Sequence, residues 1–558
     1  MRTPLRAARA PPIMTRIAGI AGNRGRNLLR IADREPGDAS LTVMFAADPD
    51  VPALDAAAER EIPTEVVERN DDESDAAHER RLLDRLGEYD VDLVCLDGYM
   101  RVLTNVFLKG APLTFNVHPS LLPAFPGKDA HDQVLDAGVS VTGCTVHIVT
   151  ETVDGGPIVT QEAVPVYGDD DADSLKDRVL TEAEFAAYPR AVRWFAEGRL
   201  EITGEGDDHR VRIEDDTGGG SSGDEDGEAG DDAGAAFASR RMTSTERAAE
   251  LRYGENPHQA AAVYADPTTE AASVIDTDQV NEDAKRLSYN NYNDTDAALG
   301  LVREFDEPAA AVIKHTNPAG CATADDLATA YERALATDPM SAFGGIVALN
   351  RECDAATADL IVESFKEVVI APGYTEDALS VLTAEENLRV LDTDGFGPEA
   401  GRFVEKPITG GRLVQERDTQ TLSSAGLEVV TEREPTDAQI EAMCFAWQVI
   451  KHVKSNAIVF ADGTRTAGIG MGQVSRVDAV RLAAMKADEH AEGTEAAGSG
   501  MASDAFFPFP DGVEAAAEAG IEAVVQPGGS VNDDDVIAAA DELDVAMAFT
   551  GQRAFRHD

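Results

Sequence analysis

Short apolar runs separated by polar stretches of helical period recur along nearly the whole chain. The first instance is TRIAGIAGNRGRNLLRIA at residues 15–32: an apolar strand, a glycine-rich turn and an amphipathic helix. LTVMFAA (41–47) and VDLVCLDG (91–98) read as further buried strands, with polar helical stretches between them. The same alternation returns in AAAVIKHTNPAG (309–320), FGGIVALN (343–350), SNAIVFA (455–461), IEAVVQPGG (521–529) and VAMAFTG (545–551). Helical segments such as VSRVDAVRLAAMKADEHA (474–491) fill the gaps. Strands alternating with helices predict an α/β protein with a parallel sheet in the first half, and no sequence repeat is visible.

The pattern fails in one place. Residues 214–238, EDDTGGGSSGDEDGEAGDDAGAAFA, offer almost no apolar surface to offset ordering entropy, and their charges repel one another. They predict a linker, giving an expected organisation of 14–205, an acidic linker at 206–240, and 241–558. Each flanking segment is large enough to fold alone. Residues 1–13, MRTPLRAARAPPI, carry no acid and lack the apolar core of a signal peptide, so they are expected to be a non-native or disordered extension with Met14 as the true start.

Charge narrows the classes of partner. The 558 residues hold 103 Asp and Glu against 48 Lys and Arg, a net charge of −55. That field repels phosphate backbones and anionic bilayers, which argues against nucleic acid and membrane as partners. Because the acids are spread along the chain, the composition resembles that of salt-accumulating halophiles and predicts a requirement for high salt. The five cysteines, Cys95, Cys144, Cys321, Cys353 and Cys444, form no CxxC pair, so neither a disulfide framework nor a structural zinc is expected. No apolar run approaches the roughly 18 residues of a membrane span, and a cytoplasmic protein is expected.

Candidate chemistry in the first half begins with Gly22, Asn23, Arg24, Gly25, Arg26 and Asn27. They lie at a strand-to-helix turn, where free backbone N–H groups and the helix dipole favour an anion. Read alone, the turn fits a helix start with solvated arginines equally well. The segments FNVHPS, CLDGYMRVL and TVDGGPIV also fall at strand ends, where α/β sheets bind ligands.

Taken in order, GNRGRNL, GYMRVL, NVHPSLLPAFPG and GCTVHIVTETVDGGPIVTQ closely resemble glycinamide ribonucleotide (GAR) transformylase over residues 15–200. The resemblance implies a Rossmann-like fold that moves a formyl group from 10-formyltetrahydrofolate to the GAR amine. It implies Asn116, His118 and Asp154 as the catalytic set, the GAR phosphate on residues 22–27, and Met100, Arg101, Val102 and Leu103 beside the folate pteridine. The residue types suit the reaction. A protonated His118 and the Asn116 amide can stabilise a tetrahedral oxyanion, while Asp154 orients the ring and relays protons. This chain departs from the family after the PG turn, where Asp129 replaces a common histidine and His131 follows two residues on.

Beyond the linker, LRYGENPHQAA, LSYNNYNDTDAA, VIKHTNPAGCA, DPMSAFGGIVALNR, VKSNAIVFA, GIGMGQVSRVDAVRLA, SDAFFPFPDGV, QPGGSVNDDDVI and TGQRAFRH follow in order. They are similar to the transformylase domain of the bifunctional enzyme that formylates 5-aminoimidazole-4-carboxamide ribotide (AICAR). The implied fold is cytidine-deaminase-like α/β. The deaminase metal signature is missing, and no metal is expected. The resemblance implies Lys314, His315 and Asn456 as catalytic residues, with His315 as base and Lys314 stabilising the oxyanion or assisting the leaving folate nitrogen. It places Arg252, Tyr253, His258, Asn291, Phe343, Gly344, Arg476 and Arg553 at the nucleotide, and Asp504 at the pteridine.

The inosine monophosphate (IMP) cyclohydrolase domain that usually precedes LRYGxNPHQ has no segment left to house it, so a separate cyclohydrolase is expected to act downstream. The expected protein is a bifunctional formyltransferase of purine biosynthesis, a homodimer through its second half. The alternatives are an AICAR enzyme whose first half only binds nucleotide or scaffolds, and a formyl-tRNA or formylfolate-hydrolysing relative of the first half.

Overall fold

A computed structural model describes residues 14–70, 72–203, 210–214, 237–238, 240–281, 283–397 and 401–557. The expected extension at 1–13 and most of the expected linker at 206–240 lie outside the described residues. The chain divides into two compact units between Arg241 and Met242.

The first unit is a seven-stranded sheet built from β1 (Thr15–Ala21), β2 (Ala39–Ala46), β3 (Thr64–Val66), β4 (Leu93–Asp97), β5 (Leu113–His118), β6 (Val141–Ile148) and β7 (Ile158–Pro165). Their order in the sheet is β3-β2-β1-β4-β5-β6-β7. The expected parallel pairing holds from β3 through β5, and β6 and β7 then run antiparallel. The β6–β7 connection, residues 149–157, is too short for a crossover helix, so β7 must run antiparallel to β6.

Strands buried on both faces explain the continuous apolar runs: Ile17, Ala18, Val94 and Cys95 are all fully buried. Helix α1 (Arg26–Arg34) follows β1 directly, capped by Gly25 in the left-handed region at φ 58°. Tyr188 reaches up from a helix beneath the sheet, its hydroxyl donating to the carbonyls of Leu96 and Phe115 at 2.9 and 3.1 Å. Leu96 lies on β4 and Phe115 on β5, one residue before Asn116, so the tyrosine ties together the two strands on which the site is built.

The second unit contains a twelve-stranded sheet. At its centre the hairpin Ala309–Lys314/Asn317–Thr323 abuts a second hairpin, Ile458–Asp462/Arg465–Gly470. Outward from the first hairpin, Ile346–Leu349, Val368–Ala371 and Arg389–Asp392 pair in parallel with one another. Outward from the second, Gly500–Ser503, Ala523–Gln526 and Ala546–Phe549 do the same. A helix of 14 residues with a capping box, Tyr289–Val302 or Asp437–Ile450, introduces each half.

The unit is therefore one topology built twice, a repeat that the sequence does not display. Each half fills its own layer of core, and the two introducing helices share a third. The hairpin at Glu246–Leu251/Ala261–Ala265 pairs only with itself.

Candidate active sites

In the first unit the site grows from β5 and the loop between β6 and β7. Register places Asn116 directly opposite His147 and His118 opposite Thr145. The loop carries Asp154, in the left-handed region at φ 51°. Its Oδ2 lies 3.4 Å from His118 Nδ1, and its Oδ1 lies 3.6 Å from His147 Nε2. The Gly127 N–H donates to the same Oδ2 at 2.8 Å, binding the PG turn to the carboxylate. Burial works against the Asp154 charge, but the nearby His147 ring, the Gly127 N–H and the His118 ring outweigh it, holding the carboxyl below its ordinary range.

His118 is 4% exposed and its other nitrogen, Nε2, faces the Phe125 carbonyl at 2.8 Å. Both nitrogens thus face oxygen atoms, which fixes the plane of the ring. Asn116 Nδ2 lies 3.2 Å from His147 Nε2, whose ring is fixed on the other side by Nδ1 donating to the Ile148 carbonyl at 3.1 Å. His147 is the residue that sequence reasoning passed over. Its signal was present in VHIVT, since a histidine inward on β6 must pair with whatever β5 places across from it.

The glycine-rich turn sits at the head of α1. Gly22 approaches Gly98 so closely that any side chain would overlap the Gly98 carbonyl oxygen, which explains glycine there. Asn23 and Arg24 are exposed, and Arg26 lies over the Phe185 ring at 5.5 Å. Asn27 is placed differently from the rest of the turn. It is 1% exposed, its backbone N–H donates to Asp97 Oδ2 at 2.9 Å, and its amide donates to Glu184 Oε2 at 2.6 Å. Glu184 ends a short π-helical stretch, Val179–Glu184, and burial pushes its carboxyl up to about 7.

A cavity of about 500 Å³ is lined by Gly22, Gly98, Met100 and Arg101 together with Asp48 and Arg69. It lies on the β2 side of the turn, away from His118 and Asp154. Met100 and Val102 are 63% and 64% exposed, whereas Leu103 turns inward at 6%.

In the second unit Lys314 ends one hairpin strand and His315 begins its turn. His315 and Thr316 both occupy the left-handed region, at φ 52° and 61°. That is the backbone of a two-residue hairpin turn whose twist matches its strands. Asp294, also missed in the sequence, receives both turn amides, Thr316 N at 2.8 Å and His315 N at 3.3 Å. Lys314 Nζ donates to the Phe343 carbonyl at 2.6 Å, and Gly344, at φ 68°, leaves room for that ammonium.

Asn317 links this hairpin to the second half, its Oδ1 accepting from Lys454 N at 2.9 Å. Two residues on, the Asn456 amide donates to the carbonyls of Gln473 and Val474, and its Oδ1 accepts from Arg476 Nη2 at 2.7 Å. Arg476 is also ion-paired with Asp504, which is fully buried. Asp504 Oδ2 accepts from Ala457 N at 3.0 Å, so both carboxylate oxygens are engaged within the protein. The structure therefore joins Asn456, Arg476 and Asp504 into one chain of contacts.

Arg553 lies between Phe506 and Phe555. Asn291 caps its own helix and donates to Glu367 Oε2 at 2.9 Å. Arg252 stacks on Tyr253 at 4.8 Å, and both lie with His258 in the loop of the self-paired hairpin, whose Glu255 carbonyl accepts from Asn290. Among the described residues no group of three or more His, Cys, Asp or Glu is placed to hold a metal, and no helix is long and apolar enough to cross a membrane.

Residues 15–192 match the family model described as formyl transferase, and residues 226–486 match that described as AICARFT/IMPCHase bienzyme. Glycinamide ribonucleotide transformylase 1 from Symbiobacterium toebii is 43% identical over 36% of this chain and 95% of its own, with a TM-score of 0.34. The enzyme of the same description from Geobacillus kaustophilus is 37% identical over 32% of this chain and 97% of its own, with a TM-score of 0.31. Phosphoribosylglycinamide formyltransferase from Anaplasma phagocytophilum is 34% identical over 36% and 94%, with a TM-score of 0.33.

Proposed function

From a chain that belongs to the formyl transferase family in its first unit and to the AICARFT/IMPCHase bienzyme family in its second, we infer a bifunctional formyltransferase of purine biosynthesis. It takes formyl from 10-formyltetrahydrofolate and delivers it to GAR in the first unit and to AICAR in the second. The observation that carries the reading is the convergence of Asn116, His118 and Asp154 at the end of β5.

In the first unit the GAR amine attacks the formyl carbon, leaving negative charge on oxygen and positive charge on nitrogen. Asn116 donates to the oxygen, as does His118 once its Nε2–H turns from the Phe125 carbonyl, and Asp154 orients the ring and receives the amine proton through water. The adduct then collapses by breaking the bond to the folate nitrogen, which takes up that proton and leaves as tetrahydrofolate. The exposed turn residues Asn23 and Arg24 and the Arg26 side chain suit the phosphate. Asn27 serves the site from behind, by fixing Asp97 and Glu184.

In the second unit the AICAR amine is conjugated with its ring and is a weaker nucleophile, so a base must take its proton during attack. His315, exposed at the turn, is that base, and Lys314 meets the developing oxyanion. As the adduct collapses, the bond to the folate nitrogen breaks and the proton held by His315 passes to that nitrogen, releasing tetrahydrofolate. Asn456 is oriented by Arg476, and Asp504 acts through Arg476. The protein works as a homodimer through its second unit, in the cytoplasm, with ring closure left to a separate cyclohydrolase.

Formyl transfer to GAR and to AICAR, measured separately in molar potassium chloride for wild type, His118→Ala and His315→Ala, tests the reading. Each substitution is expected to abolish one activity and spare the other. Wild type that formylates one acceptor alone would reduce the other unit to a binding or scaffold module.

A further inference from the structure

Lys366 is out of place by ordinary rules of burial. It is 3% exposed, and its ammonium donates to Ser364 Oγ at 2.5 Å. Among the described residues it makes no ion pair, although the chain carries 103 carboxylates against 48 basic side chains. Lysine is almost never buried unless paired. The lysine next to it, Lys314, has no carboxylate partner either, its Nζ bonding the Phe343 carbonyl.

The two are held together by backbone. Gly344 N donates to the Phe365 carbonyl at 2.8 Å and Glu367 N to the Gly345 carbonyl at 3.1 Å, which lays residues 365–367 along the loop that Lys314 holds. The Phe343 and Phe365 rings, 60% and 44% exposed with centroids 5.6 Å apart, form an apolar rim beside the ammonium groups.

The other charges nearby do not neutralise the pair. Glu367 accepts from Asn291, and the Arg389 guanidinium donates to the carbonyls of Lys285, Glu367 and Asn387. Burial first, and the Lys314 charge second, bring the Lys366 ammonium down to about 8. Two unpaired cations at one rim of a strongly acidic protein create a local positive potential that an anionic oxygen can fill.

We propose that Lys366 is a positioning residue for formyl transfer in the second unit, holding the Lys314 ammonium toward the oxyanion that develops on the formyl group. No bond to Lys366 forms or breaks; its charge acts through Lys314. The proposal rests on the reading of Lys314 and His315 as that unit's reactive centre.

The test compares wild type, Lys366→Met and Lys366→Arg. AICAR formylation is followed from about pH 6 to pH 10, with GAR formylation and melting temperature as controls. The Met variant is expected to lose about ten-fold or more in kcat on AICAR at neutral pH, with KM and GAR formylation little changed. Its melting temperature should hold or rise, because an apolar side chain replaces a buried unpaired charge. Wild type should lose rate as pH passes about 8, the value for Lys366, while arginine, which stays charged, should carry the rate beyond it. A Met variant with wild-type kcat and the same alkaline fall overturns the proposal. So does a fall in kcat that arginine fails to rescue and that accompanies a lower melting temperature. Wild type that does not formylate AICAR at all overturns both this proposal and the reading beneath it.

Discussion

Asp154 divides its two oxygens between two histidines, Oδ2 toward His118 Nδ1 at 3.4 Å and Oδ1 toward His147 Nε2 at 3.6 Å. One carboxylate therefore lies against both the ring at the end of β5 and the ring that faces Asn116. Asp154→Asn keeps the shape and removes the charge. It should lower kcat for GAR formylation by about 10²–10³ and leave AICAR formylation unchanged, as steady-state assays on both acceptors would show.

His147 pins the Asn116 amide from across the strand pair. His147→Phe fills the same space without a hydrogen-bonding nitrogen, so the amide is free to turn. GAR formylation should fall by about ten- to a hundred-fold in kcat, with a smaller effect on KM. His147→Gln, which keeps a polar partner for the amide, should recover part of the loss.

The burial of Glu184, which the Asn27 hydrogen bond only partly offsets, makes the first unit sensitive to pH. Glu184 titrates near 4.5 when unfolded and about 7 when folded, so between those values the folded unit binds the extra proton. Stability is then highest below about 4.5, falls as pH rises toward 7 and levels off above it, by about 3 kcal/mol in all. Glu184→Gln should flatten that slope. The chain has two tryptophans, Trp194 and Trp447, so urea unfolding followed by fluorescence in Trp447→Phe reports on the first unit alone.

A net charge of −55 predicts that stability depends on salt. Screening shortens from about 10 Å at 0.1 M to about 3 Å at 1 M, so self-repulsion among surface carboxylates collapses over that range. Melting temperature should rise steeply with potassium chloride for the full chain. A flat profile would mean that the acids are already balanced by local ion pairs.

What could be read in advance followed the reach of the pattern. Buried strands such as Leu93–Asp97 and Ile346–Leu349 announce themselves by unbroken apolar runs, whereas His118, which alone reads as a satisfied buried ring, was singled out by the resemblance of the motif around it. The antiparallel turn-back of β6 and β7 was hidden, because pairing direction is settled by contacts remote in sequence. The doubled architecture of the second unit was hidden for a related reason: its halves share the order of their elements, and no residue period. His147, Asp294 and Glu184 escaped notice because each acts on a neighbour that only the fold brings near. Asp504 was recognisable as an important acid, and its engagement with Arg476 came only from knowing that both lie beneath Asn456.

The turn at His315 and Thr316 leaves the second unit with stability it has not taken up. Neither residue is glycine, yet both hold left-handed backbone, at a cost of order 1 kcal/mol each. Thr316→Gly would relieve part of that cost, and His315→Gly would relieve as much again while removing the base. Selection for a tougher protein and selection for a working one thus separate at adjacent positions, with room to drift at 316 and none at 315. A library randomised at both sites and sorted first for heat resistance, then for AICAR formylation, should enrich glycine at both positions in the first round and at 316 alone in the second.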